Sequence, residues 1–265
     1  MIELKPLGNT GVMVPEIGLG TWNYTGGVEP LRKGIELGAY LIDTAEGYHT
    51  EDVVGQAIRG IRDRVFIATK VSGKHLRYDE LLRAAEGSLR LLDVDYIDLY
   101  QIHWPNPSVP IKETMRAMEH LVDSGCIRYI GVSNFSVSDL KEAQSAMRKY
   151  PIVSNQVLYN LNNRGIEKEL IPYCERYGIT IIAYTPLDNG RLATESRGRG
   201  IKVLKQIAAE INKTQAQVAL NWCISQPNVI AIPKSNSIAR IVENCGASGW
   251  RLSQAHIRLL DEAFS

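Results

Sequence analysis

Gly18-Leu19-Gly20-Thr21-Trp22 decides between the two folds open to a chain of alternating strands and helices. It closes a strand-like run and begins as a dinucleotide fingerprint begins, with two glycines one residue apart. That fingerprint needs a third glycine, which lets a helix start tight against the strand. None follows to open a helix here. The open doubly wound sheet loses its signature, and the spacing of the remaining elements carries the decision.

Eight short apolar runs recur: Ile17 to Gly20, Tyr40 to Asp43, Val65 to Lys70, Ile97 to His103, Tyr129 to Ser133, Val153 to Gln156, Thr180 to Tyr184, and Val229 to Pro233. Their β-branched and aromatic residues read as strands. Between them Leu81, Leu82, Ala85, Leu89 and Leu92 form an apolar stripe at helical period, and Met115, Met118, Leu121 and Val122 another. Ser136-Val137-Ser138-Asp139 reads as a capping box, and Gln217 to Ile224 as a helix ending before Pro227. Strands alternating with helices every 25 to 50 residues or so predict an α/β protein of the (β/α)₈ TIM-barrel class. Ile2 to Leu7 and Val12 to Val14, split by Gly8-Asn9-Thr10-Gly11, predict an N-terminal β-hairpin ahead of the barrel. A single domain is expected over residues 1–265. Asp188 to Gly200, rich in Gly, Arg and Ser, reads as a long loop after the seventh strand, on the face where such barrels place their chemistry.

Composition narrows the partners. Lys plus Arg number 30 against 29 Asp plus Glu, so no global field recruits nucleic acid or an anionic membrane. A small-molecule substrate and a monomer are expected. Cys126, Cys174, Cys223 and Cys245 are dispersed, without Cys-x-x-Cys pairs or histidines at ligand spacing, so neither a metal site nor a disulfide framework is expected. The amino terminus lacks a basic stretch followed by an apolar core, and a cytoplasmic protein is expected.

Four polar residues fall at or just past consecutive strand ends: Asp43, Tyr48, Lys70 and His103. Each alone has an innocent explanation, since a strand-end lysine snorkels, a tyrosine packs with its hydroxyl wet and a carboxylate caps a helix. Together they bring an acid, a phenol, an ammonium and an imidazole to the face where barrel enzymes work. A neighbouring ammonium lowers the pKa of a phenol, so Lys70 is expected to acidify Tyr48 while Asp43 holds the lysine. His103 is expected to orient a substrate oxygen or pass it a proton. That equips a carbonyl to receive a hydride.

The later strand ends differ in kind. Ser133, Asn134 and Gln156 offer neutral hydrogen-bonding groups and Tyr184 an aromatic face, which suit a carboxamide and a nicotinamide ring. Lys234, Ser235, Asn236 and then Arg240 collect cations and small donors at a helix start, an anion site by charge and dipole.

Asp43-Thr44-Ala45-Glu46-Gly47-Tyr48 with Glu51, Lys70, Gln101-Ile102-His103-Trp104-Pro105, Gly131-Val132-Ser133-Asn134-Phe135, Asn155-Gln156-Val157 and Ile232-Pro233-Lys234-Ser235 resemble the aldo-keto reductases, in order and over nearly the whole chain. The resemblance implies a barrel that binds NADP(H) across its carboxyl-terminal face without a metal. It implies Tyr48 as general acid, tuned by Lys70 and Asp43, with His103 orienting the carbonyl. It further implies Ser133, Asn134 and Gln156 on the carboxamide, Tyr184 on the nicotinamide, and Thr185, Pro186 and Leu187 at the pyrophosphate. Gly20 and Thr21 are implied as further cofactor contacts. Lys234, Ser235, Asn236 and Arg240 would take the adenosine 2′-phosphate, and Glu243 and Asn244 the adenine. Trp22 and Trp104 are expected to wall the substrate pocket.

Thr185 stands where the family commonly has serine, which keeps the hydroxyl. The long carboxyl-terminal substrate loop of many relatives is expected to be largely missing, and the Trp104 to Pro110 link is short. The expected activity is NADPH-dependent reduction of aldehydes or ketones. A regulatory subunit retaining the fold and a Schiff-base lyase using Lys70 are the alternatives from other classes.

Overall fold

The computed structural model describes residues 1–265. A hairpin leads the chain, with β1 (Leu4–Pro6) antiparallel to β2 (Met13–Pro15). Strands and helices then alternate: β3 (Leu19–Gly20), α1 (Val28–Glu36), β4 (Leu41–Asp43), α2 (Glu51–Ile58), β5 (Phe66–Val71), α3 (Tyr78–Leu92), β6 (Ile97–Ile102) and α4 (Ile111–Asp123). After them come β7 (Ile127–Ser133), α5 (Val137–Ala146), β8 (Ile152–Leu158), α6 (Leu170–Tyr177), β9 (Thr180–Tyr184), α7 (Arg191–Thr194), α8 (Arg199–Glu210) and α9 (Gln215–Ile224). β10 (Val229–Ala231), α10 (Ile238–Cys245) and α11 (Gln254–Ala263) complete the series.

β3 to β10 form one parallel sheet in sequence order. The ring closes where the Gly18 N–H donates to Ala231 O at 2.8 Å and the Ala231 N–H to Glu16 O at 2.9 Å. This is the predicted (β/α)₈ barrel with its N-terminal hairpin. Strands covered on both faces are buried along their whole length, as in β5 and β6, which are apolar but for Thr69 and Lys70 and for Asp98 and Gln101. Side chains alternate across each strand. Leu41, Ala68, Leu99, Ile182 and Ile230 fill the interior with Leu7 and Val14 near the hairpin, whereas Ile42, Ile67, Tyr100 and Ile181 pack in the larger core. The same period carries Asp43, Lys70 and Gln101 to the inside one layer above. At that level a Cβ on Gly131 would collide with Ser154 Oγ and come within 2.9 Å of Gln101 Cγ, so only glycine fits.

Buried Lys5 secures the hairpin to the end of α9, donating to the carbonyls of Ile224, Gln226 (2.7 Å) and Val229 (2.8 Å). Three N–H groups meet three acceptors. Burial draws its pKa down to about 8, opposed by Glu16, and leaves it cationic at neutral pH.

The helical readings hold with shifted edges. Leu81, Ala85 and Leu92 are buried on α3, and Met115, Met118 and Leu121 on α4. Ser136 caps α5 through the reciprocal box with Asp139. α9 begins at Gln215, ahead of the apolar run, because Thr214 and Gln217 form a second box. β7 and β8 outrun the strands read for them, since their neighbours continue the ladder at Ile97 and Tyr184. Asp188 to Gly200 is not a plain loop: a 3-10 turn over Asp188–Gly190, the short α7 and the start of α8 lie within it. Single helical turns are too short to display a period. No helix is long and apolar enough to cross a membrane.

Candidate active site

Asp43 ends β4 and Lys70 lies one residue from the end of β5, so adjacent strands bring a carboxylate and an ammonium together inside the barrel. Lys70 is wholly buried. Its Nζ donates to Asp43 Oδ1 at 2.6 Å and to Thr44 O at 2.8 Å, with Tyr48 Oη at 3.5 Å. The other Asp43 oxygen accepts from Gln156 Nε2 at 2.7 Å and from Gln101 Nε2 at 3.4 Å. Tyr48 ends a 3-10 turn over Glu46–Tyr48, just past β4. Its Oη stands 3.4 Å from His103 Nε2, and the rings meet edge to face at 5.3 Å. His103 is fixed by its own backbone: its N–H donates to Val71 O at 3.0 Å and its carbonyl accepts from Asn134 Nδ2 at 3.2 Å. The four residues singled out as a quartet do meet.

Their electrostatics differ from the expectation in one respect. Burial, and then the Asp43 carboxylate, push the Tyr48 phenol above its ordinary value rather than below it. Lys70 is too closely neutralised by Asp43 to reverse this. Burial also lowers the Lys70 ammonium, against the opposing pull of Asp43. The His103 imidazole falls to about 4, chiefly through burial and secondarily through Lys70, and is neutral at physiological pH.

Around this centre lies a cleft of about 1040 Å³. Ser133 ends β7 and Asn134 follows it into the cleft; Ser133 Oγ donates to the Gln156 backbone carbonyl at 2.9 Å, and Tyr184 Oη to Asn134 Oδ1 at 3.0 Å. The Gln156 side-chain N–H is spent on Asp43, a partner the sequence did not reveal, which leaves the side-chain oxygen Oε1 as the free end. Thr185, Pro186 and Leu187 line the next stretch, with Thr185 at φ +52° and its carbonyl held by Asn160 Nδ2 at 2.9 Å. Gly20 and Thr21 border the cleft beside β10; a Cβ on Gly20 would stand 2.6 Å from Ile232 O. Trp22 and Trp104 flank the mouth, each 52% exposed.

Lys234, Ser235, Arg240, Glu243 and Asn244 line the far end. Lys234 and Arg240 are exposed, and neither forms an ion pair. The first turn of α10 carries no acid, and Ser237 gives it no side-chain cap. Two cations at the positive end of a helix leave a hole for an anion. Asn236 departs from the expectation: it lies outside the cleft lining, and its amide is taken up by Thr25, accepting from the backbone N–H at 3.1 Å and donating to Oγ1 at 2.9 Å.

The sequence profile described as "Aldo/keto reductase family" matches residues 16–264. The chain belongs to the aldo/keto reductase family. Among curated relatives, the methylglyoxal reductase YeaE of Escherichia coli (strain K12) is 41% identical over 96% of this chain and 92% of its own length. The glyoxal reductase of Bacillus subtilis (strain 168) is 40% identical over 96% and 90%. Among solved structures, the thermostable aldo-keto reductase Tm1743, in complex with the inhibitor epalrestat, superposes with a TM-score of 0.93 at 41% identity, covering 99% of this chain and 100% of that one. An aldo/keto reductase from Klebsiella pneumoniae in complex with NADP and acetate gives 0.89 at 39% identity, covering 100% and 96%.

Within this aldo/keto reductase, several side chains of the site carried no signal of their own. Gln101 was read only as part of a motif, yet its amide reaches Asp43. Thr50 joins Thr21 and Thr44 through hydroxyl contacts of 3.0 and 2.9 Å beneath the cleft floor. Asn163, Asp188 and Asn189 also line the cleft. Strand alternation could have found Gln101, which stands two residues before His103. Nothing in the sequence marks the loop residues.

Proposed function

We propose that the chain reduces small aldehydes, glyoxal-type dicarbonyls among them, with NADPH as reductant and Tyr48 as the proton donor. One observation carries the reading: a phenol, an imidazole and an ion-paired lysine converge in a cleft whose far end holds two unpaired cations. The residues fit the cofactor by the chemistry of their donors. Lys234, Arg240 and Ser235 offer charge and a hydroxyl for a 2′-phosphate, Thr185 to Leu187 a backbone bed for the pyrophosphate, and Ser133, Asn134 and Tyr184 a carboxamide and ring site. NADPH supplies the hydride when bound.

The protein's own groups do the rest. Neutral His103 donates through Nε2–H to the carbonyl oxygen and fixes its direction. Tyr48, protonated at every physiological pH, gives its Oη proton to that oxygen as negative charge develops there, for an alkoxide is a stronger base than a phenolate. Lys70 and Asp43 form a nearly neutral pair, so the lysine stabilises a phenolate as it forms without generating one in the resting enzyme. The half-exposed Trp22 and Trp104 leave the mouth open, so few walls remain to desolvate the far end of a larger substrate, and binding rests on the carbonyl end that a small aldehyde also offers. The relatives that act on methylglyoxal and glyoxal support the same size class.

A Schiff-base role for Lys70 fits poorly, because its amine is wholly buried and its donors face Asp43, Thr44 and Tyr48. The test follows NADPH oxidation with glyoxal, methylglyoxal and larger ketones. Tyr48→Phe should bind NADPH normally and lose roughly 10²- to 10⁴-fold in turnover, as loss of general acid catalysis dictates. Near-normal turnover would sink the reading.

A further inference from the structure

We infer that Glu46 is a positioning residue, one that holds Tyr48 at its working distance from Lys70; the inference rests on the reading of Tyr48 as proton donor. Tyr48 sits on a separate turn, Glu46–Tyr48, whereas Lys70 is built into β5. The ladder reaches only to Thr44, whose N–H donates to Ala68 O at 2.8 Å and whose carbonyl accepts from Lys70 Nζ at 2.8 Å; the tyrosine turn lies beyond it, with Tyr48 Oη 3.5 Å from Lys70 Nζ. Glu46 opens the tyrosine turn and spans this gap. Its Oε2 accepts from the Ser72 N–H at 2.8 Å, and its Oε1 lies 2.6 Å from His75 Nδ1. Tyr48 follows Glu46 by two residues and Ser72 follows Lys70 by two, so the clasp closes a short bridge between the reacting groups.

The bridge continues. The loop from Ser72 to His75 is closed by the His75 N–H on Ser72 O at 2.9 Å, and its Gly73 carbonyl accepts from Asn106 Nδ2 at 2.7 Å, on the loop that follows His103. Three loops bearing the phenol, the imidazole and the extension of the lysine strand are thus tied by side chains outside the sheet. Glu46 and His75 are partly exposed, and a pair so placed adds little to folding stability. Its consequence is geometric, since a misplacement near 1 Å at a reacting group lowers turnover by as much as about 10²-fold.

The experiment compares Glu46→Ala, Glu46→Gln and His75→Ala, each alone and combined with Tyr48→Phe. Glu46→Ala should lower kcat by about 10- to 100-fold, with NADPH affinity, aldehyde KM and Tm nearly unchanged. Glu46→Gln keeps an acceptor for the Ser72 N–H and should recover most of that loss. His75→Ala removes one arm and should lower kcat by roughly 3- to 10-fold, which keeps the test open if Glu46→Ala fails to fold. Because Glu46 acts through Tyr48, none of these should lower activity further in Tyr48→Phe. Wild-type kcat in the clasp variants, or a loss that persists undiminished in Tyr48→Phe, overturns the inference while an impaired Tyr48→Phe leaves the proposed function standing. Normal turnover in Tyr48→Phe itself would instead overturn the proposed function.

Discussion

One lysine lies buried beneath one end of the cleft and another lines its far end, and they obey opposite physics. Lys70 is wholly buried, with a carboxylate 2.6 Å away and a carbonyl at 2.8 Å. Lys234 is exposed at a helix start, without a carboxylate, beside an equally unpaired Arg240. A buried charge has to be compensated within the fold, so Lys70 is part of what makes the folded state self-consistent. An exposed one is compensated by water until a ligand arrives. On the proposed reading, preorganisation at the reacting end and availability at the anchoring end come from how far the same side chain is buried and paired.

Removing the compensation breaks the comparison most sharply. Asp43→Asn strands a buried ammonium and should destabilise the fold by about 3 to 5 kcal/mol, whereas Lys234→Ala should stay within about 0.5 kcal/mol of the parent. Denaturant unfolding of both variants reads the difference. Equal stabilities would mean that Lys70 sheds its proton and that the pair is not what holds this layer together.

The anchoring end gives the next effect. A hydrogen bond to a charged group contributes roughly 1.5 to 3 kcal/mol, and exposure to water places these two cations at the low end. Lys234→Ala with Arg240→Ala should therefore weaken NADPH binding by about 10- to 100-fold and NADH binding hardly at all. Raising salt should erode the wild-type preference by screening, while turnover at saturating coenzyme holds. Fluorescence titration gives both constants, and equal values for the two coenzymes in the wild-type protein would remove Lys234 and Arg240 from the proposed site.

The two ends were unequally legible in the sequence. Asp43, Lys70 and His103 could be placed because a strand's side chains alternate and a barrel's strand ends share a face; both rules act on sequence position alone. Asn236 could not, because a loop amide satisfies whichever neighbour the turn presents, and here that neighbour is Thr25, 211 residues away. Gln156 lines the cleft as expected of its strand end, but the bond from its amide to Asp43 could not be read from sequence, since the reach from β8 to β4 exists only once the barrel closes. The direction of the Tyr48 shift was missed for a related reason. Sequence names the charged neighbours of a group; it does not say how much water the group has lost, and burial is the largest influence there.

That loss of water also makes the reacting end insensitive to mild acid. Burial holds the His103 imidazole at about 4 in the folded protein, against an ordinary value near 6.5. Between those values the unfolded chain binds a proton that the folded chain refuses, so stability rises with pH across the window and is lost as pH falls from about 6.5 to 4. The effect is modest, because the ring is only half-buried and water screens part of the shift. Turnover should show no acid limb from His103 down to about pH 5, since the imidazole proposed to donate to the carbonyl stays neutral. His103→Gln keeps a neutral donor and should flatten the stability slope between pH 6.5 and 4. An imidazole resonance that titrates near 6.5 in the folded protein would show that water reaches His103, and that the reacting end is less desolvated than its geometry implies.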